Sequence, residues 1–204
     1  MPKPKLFLEK VLTWYERAYG LRSVCLRYFN AAGADPEGEL GECHDPETHL
    51  IPLAIRAVLG GPELSIMGAD YETPDGTAIR DYVHVTDLAE AHLRALKSLV
   101  RGGSGATFNC GSGVGHSVRE LVEKVSAISG QKVPVRYIER RQGNAPVLIA
   151  DTSLIREALG WRPRLSSLDK IIQTAWSWAT PRVGCGGRPL ETSLLRRAEG
   201  SRSA

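Results

Sequence analysis

The stretch Gly76-Thr77-Ala78-Ile79-Arg80-Asp81-Tyr82-Val83-His84-Val85-Thr86-Asp87-Leu88 decides the fold class. Residues 77 to 85 alternate, with Ile79, Val83 and Val85 on one face and Ala78, Arg80, Tyr82 and His84 on the other, the two-residue period of a strand. Asp87 with Glu90 then reads as a capping box. Leu88, Ala91, Ala95 and Leu99 follow at helical steps, and Gly102-Gly103 closes the element. The pattern is therefore strand, turn, helix. Arg80 lies just before that turn, and a guanidinium offers a rigid fork of donors that matches a phosphate. Arg80 is thus a candidate anion clamp. A surface ion pair with Asp81 accounts for the same spacing, and on spacing alone it is the preferred reading.

Before this unit, Leu8, Val11, Leu12, Tyr15 and Ala18 keep a helical period from Pro4 to Gly20. Residues 21 to 30 read as a strand ending in the turn Ala31-Ala32-Gly33, which makes Tyr28 and Asn30 candidates because open α/β sheets bind ligands at the carboxyl ends of their strands. Plain turn chemistry also explains Asn30. Residues 35 to 47 carry six carboxylates and no Lys or Arg, with Cys43, His44 and His49 in or beside them. The Cys-His-x4-His spacing lacks a fourth ligand and matches no common zinc pattern, so no metal is assigned. Leu50 to Leu59 reads as a buried helix stopped by Gly60-Gly61, and Leu64 to Met67 as a short strand.

Beyond the central unit, a strand at Ala106 to Cys110 leads into Gly111-Ser112-Gly113-Val114-Gly115. The dinucleotide fingerprint G-x-G-x-x-G fails there at His116, and Ser117 with Glu120 caps the next helix, so a tight structural turn is the better reading. Val133 to Glu139 reads as a strand, followed by Arg140-Arg141, a second possible phosphate contact. Asp151 or Thr152 caps a short helix, and Ser166 with Asp169 caps the last one, which runs to Thr180-Pro181.

Composition narrows the classes of function. The 204 residues carry a formal charge of +3, and five arginines against two glutamates within residues 181 to 204 account for all of it. A neutral body argues against a nucleic-acid partner. Four scattered cysteines without C-x-x-C read as reduced thiols, and no apolar run reaches membrane-spanning length, so a cytoplasmic protein with no membrane partner is expected. Residues 181 to 204, rich in Gly, Arg and Ser, are expected to form a disordered tail.

Five segments together resemble the C-terminal part of the UDP-galactose 4-epimerases, in the extended short-chain dehydrogenase/reductase superfamily. They are Leu26-Arg27-Tyr28-Phe29-Asn30-Ala31-Ala32-Gly33-Ala34, Thr48-His49-Leu50-Ile51-Pro52, Gly76 to Val85, Phe108 to Gly115, and Arg140-Arg141-Gln142-Gly143. The resemblance implies an α/β fold: a nucleotide-sugar-binding domain from residues 34–76 and 119–180, and a remnant of a Rossmann-like, doubly wound NAD-binding sheet from residues 1–33 and 77–118. It implies that Asn30 contacts the sugar nucleotide, His49 and Leu50 its diphosphate, and Ser65 to Met67 the uridine. Arg80 and Arg141 would hold the phosphates, which reverses the preference drawn from spacing. Asn144 stands where the family has Asp beside the substrate, and Leu148 occupies the position that limits bulk at sugar C2.

Lys5 corresponds in this resemblance to the lysine of the Y-x-x-x-K helix, and Tyr28 packs by the nicotinamide of NAD. Catalysis in the family takes the 4-hydroxyl proton with that tyrosine while hydride passes to NAD. Here Met1 stands four residues before Lys5, and the glycine-rich phosphate loop has no counterpart. The expectation is a truncated UDP-glucose 4-epimerase, inactive alone, homodimeric as in the family or completed by an N-terminal half supplied separately. Alternatives are a non-catalytic UDP-sugar-binding module, or an epimerase of UDP-N-acetylhexosamines or UDP-pentoses.

Overall fold

The computed structural model describes residues 3–180, so the tail expected at 181 to 204 lies outside the described residues. Chain order is α1 (Lys3–Tyr19), β1 (Val24–Tyr28), β2 (Asn30–Ala32), α2 (Leu50–Val58), β3 (Leu64–Met67), β4 (Ile79–His84), α3 (Val85–Val100), β5 (Ala106–Cys110), β6 (Gly115–Ser117), α4 (Val118–Ser129), β7 (Val135–Ile138), β8 (Val147–Leu148), α5 (Ser153–Leu159) and α6 (Leu168–Ala179). The fold is mixed α/β. Parallel pairs join β1 to β5, β2 to β4, β3 to β7 and β4 to β8, and β6 runs antiparallel to β4.

β4, cut from the opening stretch, is the wall between two apolar cores. Successive strand residues point to opposite faces. Tyr82 accordingly enters a cluster with Ile51, Ile55, Leu121, Val125, Ile171 and Ile172 from α2, α4 and α6. Val83 enters the other, with Leu88, Ala91, Phe108, Ile155 and Trp161. The alternation read from the sequence holds at these two positions. It fails at Val85, which starts α3 and is 37% exposed.

Other boundaries also differ from expectation. The cap of α3 is His84, whose side chain accepts from Thr86 N, and not Asp87. Asp87 is instead buried within the first turn, where its carboxylate accepts from Arg164 N, Leu165 N and Ser166 Oγ. That contact also removes Ser166 from the capping role expected of it, and Ser167 caps α6 by accepting from Lys170 N. A buried carboxylate seeks every donor within reach, and the local i, i+3 pattern carries no trace of donors 77 to 79 residues away. The strand expected over residues 21 to 30 is split, and Ala31 and Ala32 belong to β2 rather than to a turn, because pairing of β2 with β4 extends them. Ser117 does cap α4, accepting from Glu120 N.

Candidate functional site

Asp81 fixes the geometry around the site. It is fully buried, and its carboxylate accepts from Ser112 N at 2.8 Å, Ser112 Oγ at 2.7 Å, Gly113 N at 3.0 Å and Ala150 N at 3.1 Å. The surface pair with Arg80 weighed from the sequence does not form. Arg80 donates instead to the main-chain oxygens of Ile79 (2.8 Å) and Pro146 (3.4 Å). The glycine-rich segment after β5 is thereby explained: a Cβ on Gly111 would stand 2.4 Å from Asp81 Oδ2. Its N–H groups embrace an internal carboxylate, and a pyrophosphate has no claim on them.

Asp81 also presents its main-chain oxygen to Asn30 Nδ2 at 2.7 Å, which aims Asn30 along the edge of a cavity of about 500 Å³. His49 and Leu50, at the N-terminus of α2, line the same cavity. Tyr82, Arg56 and Trp178 line it too, and none of these was singled out from the sequence. Its period puts Tyr82 on the face with Arg80 and His84, yet the structure buries it, and burial raises its phenol pKa so that it stays neutral. Trp178 Nε1 donates to Glu42 O at 3.0 Å, and a Cβ on Gly41 would meet the Trp178 ring at 2.3 Å. This contact between α6 and the loop before α2 has no local signature.

The remaining candidates lie outside the cavity lining. Ser65 and Met67 sit on β3, with Ser65 Oγ accepting from Arg136 Nε at 2.9 Å on the paired β7. Arg80 and Leu148 are register partners across β4 and β8. Arg141 and Asn144 are exposed on the connection from β7 to β8, where Asn144 N donates to Arg141 O. The candidates thus fall into a cavity group (Asn30, His49, Leu50) and a strip carried by β3, β4 and β8 with the β7–β8 connection. Lys5 on α1 and Tyr28 at the end of β1 are both exposed and belong to neither. α1 is held to β1 by the ion pair of Arg27 with Glu9, which lowers the Glu9 pKa by direct hydrogen bonding.

A second constellation stands on the cavity rim. His44 and His49, ring centroids 5.0 Å apart, both approach Glu42, and Glu47 stands beside them. Partial burial pushes the Glu47 pKa up, but the N–H groups of His49 and Thr48 and the His49 ring outweigh it, so the carboxyl ends below its ordinary range. The sequence reading paired Cys43 with the two histidines. The fold brings in Glu42 and Glu47 instead.

The family model described as NAD dependent epimerase/dehydratase family matches residues 3–111. The chain belongs to that family. It is 50% identical over 189 residues to the UDP-glucose 4-epimerase of Azospirillum brasilense, covering 91% of this chain and 54% of that protein. The crystal structure of the UDP-glucose 4-epimerase from Brucella ovis in complex with NAD superposes with a TM-score of 0.82 at 53% identity, over 85% of this chain and 54% of that one. The enzyme from Bifidobacterium longum in complex with NAD+ and UDP gives 0.79 at 34% identity, over 85% and 52%. This chain therefore spans about half the length of the relatives it matches.

Of the family's cofactor contacts, the resemblance leaves this chain Lys5 and Tyr28. Both are solvent-facing, and the one glycine-rich loop among the described residues is committed to Asp81. By the resemblance these two residues would meet NAD, and the loop bound to Asp81 is not free for its pyrophosphate.

Proposed function

We propose that the chain is the substrate-holding part of a UDP-glucose 4-epimerase and takes a UDP-sugar across the cavity and the adjoining strip. The observation that carries this reading is the convergence of Asn30, His49 and Leu50 on one cavity of about 500 Å³, a volume suited to a ligand of that size. In this reading Asn30 meets the sugar, and His49 and Leu50 meet the diphosphate where the N-terminus of α2 supplies partial positive charge. Arg80 and Arg141 clamp the phosphates, Ser65 and Met67 flank the uridine, and Asn144 and Leu148 border the hexose. Leu148, large and 48% exposed, stands at the position that sets the room at C2. A turnover comparison decides among UDP-glucose, UDP-N-acetylhexosamines and UDP-pentoses.

NAD supplies the hydride chemistry of the whole enzyme, and this chain's residues bind and orient the sugar nucleotide. The glycine-rich loop among the described residues is committed to Asp81 and offers the cofactor no phosphate cradle, so these residues by themselves bind without epimerising. Activity requires a complementary segment carrying that cradle and the tyrosine of the Y-x-x-x-K helix, within one polypeptide or supplied separately, and the assembled enzyme is a homodimer. Calorimetric titration with UDP-glucose and an assay of UDP-galactose turnover test this together. Binding without turnover is expected. Turnover by this chain alone would overturn the division of labour, and absence of binding would overturn the site.

A further inference from the structure

We infer that Glu42, His44, Glu47 and His49 form a binding site for a divalent transition-metal ion of the zinc class, fastening the loop before α2 to the rim of the cavity. The four side chains each bring one ligand atom, and these atoms all lie within 4.8 Å of one another. Nδ1 of His44 and Nδ1 of His49 each stand 2.6 Å from the same oxygen, Glu42 Oε1, and His49 Nδ1 stands 3.1 Å from Glu47 Oε1. Two imidazole nitrogens thus converge on one carboxylate oxygen, and one of them also reaches the second carboxylate. With the nitrogens as lone-pair donors, a cation among the four side chains would be shared by all of them.

The charge of the segment points the same way. Residues 35 to 47 contain six carboxylates and no Lys or Arg, and the ion-pair partners of Glu42 and Glu47 are the two imidazoles. Two imidazoles and two carboxylates are the nitrogen and oxygen donors that zinc accepts, with bonds of about 2.0–2.2 Å and hence ligand atoms about 3.3 Å apart in a tetrahedron. Reaching that spacing asks the exposed histidines to back away from Glu42 by less than an ångström and the widest pair, up to 4.8 Å apart, to close by up to about 1.5 Å.

Four protein ligands leave no open coordination position, so the ion is structural. Its leverage comes from position: Glu42 and His49 line the cavity, His49 stands at the N-cap position of α2, and the main-chain oxygen of Glu42 accepts from Trp178 Nε1 of α6.

The test is titration of the chelator-treated 204-residue chain with ZnCl2 by calorimetry, with thermal melts in parallel. One equivalent should bind and raise the Tm. H44A and H49A should each weaken binding by about tenfold or more. Both residues are exposed, so the variants should fold, as the metal-free Tm will report. C43S should bind like the parent, and zinc-edge X-ray absorption should show a nitrogen and oxygen shell with imidazole scattering. Absence of binding, a sulfur shell, or full affinity in the H44A/H49A double variant would overturn the site.

Discussion

Asp81 accepts twice from Ser112, through the main-chain N–H at 2.8 Å and the hydroxyl at 2.7 Å. With Gly113 N and Ala150 N on the same carboxylate, one side chain gathers β4, the β5–β6 turn and the residues after β8. Four donors converge on a fully buried charge, so substitution leaves several groups unsatisfied at once. Asp81→Asn keeps the volume but turns an NH2 against N–H donors. It should destabilise by about 3 kcal/mol. Urea unfolding of parent and variant measures this, and a loss under about 1 kcal/mol would mean that the donors find other partners.

His84 gives the protein a pH limit. The ring is fully buried: Nδ1 accepts from Thr86 N, which leaves the proton on Nε2, 3.1 Å from Thr174 Oγ1. Burial lowers its pKa, with the charges of Asp87 and Asp35 opposing in part. The unfolded chain then takes up the proton first, near the ordinary value of about 6.5. Stability from this group is complete above that pH and declines as pH falls from it toward the lower folded pKa. A Tm that drops between pH 7.5 and 5.5 in the parent, and drops less in His84→Asn, is expected. Equal slopes would assign the effect elsewhere.

These two residues mark where local reading succeeds and where it stops. The period of Tyr82 and Val83 and the Ser117 cap are written in adjacent residues, and the structure keeps them. Asp81, His84 and Asp87 look like an ion pair, a strand face and a helix cap over short range. Their actual partners, Ser112, Thr174 and Ser166, lie 31, 90 and 79 residues away. The rim constellation was half legible for the same reason. His44 and His49 stand out by type, but Glu42 and Glu47 were hidden among six similar carboxylates until the loop folded. Asn30 was legible from its place at the end of a strand, whereas Leu50 and a substrate role for His49 came only from the resemblance; all three line one cavity.

Arg80 separates binding from folding. Its guanidinium rests on the carbonyls of Ile79 and Pro146, contacts whose loss costs little, so Arg80→Ala should leave stability within about 1 kcal/mol. If it clamps the diphosphate, the lost charge-assisted bonds should weaken UDP binding by about tenfold or more, with Arg80→Lys intermediate. Calorimetric titration with UDP measures both variants. UDP affinity equal to the parent's in Arg80→Ala would remove this residue from the site.

The outer face of α1 sets the solution behaviour. Phe7, Leu8, Trp14, Tyr15 and Tyr19, recurring on a helical stripe, are exposed by 60%, 62%, 57%, 50% and 77%. Beside it β1 pairs only with β5 among the described residues, which leaves its other edge open. A contiguous apolar stripe next to an unpaired strand edge is a surface that proteins cover. The isolated chain should therefore associate with itself, with a sedimentation coefficient that rises across the micromolar range. Leu8→Glu with Tyr15→Glu puts two charges on that stripe without touching either core, so the variant should keep its far-ultraviolet spectrum and sediment as a smaller species. A parent that stays monomeric at every concentration would show that α1 and the β1 edge need no cover.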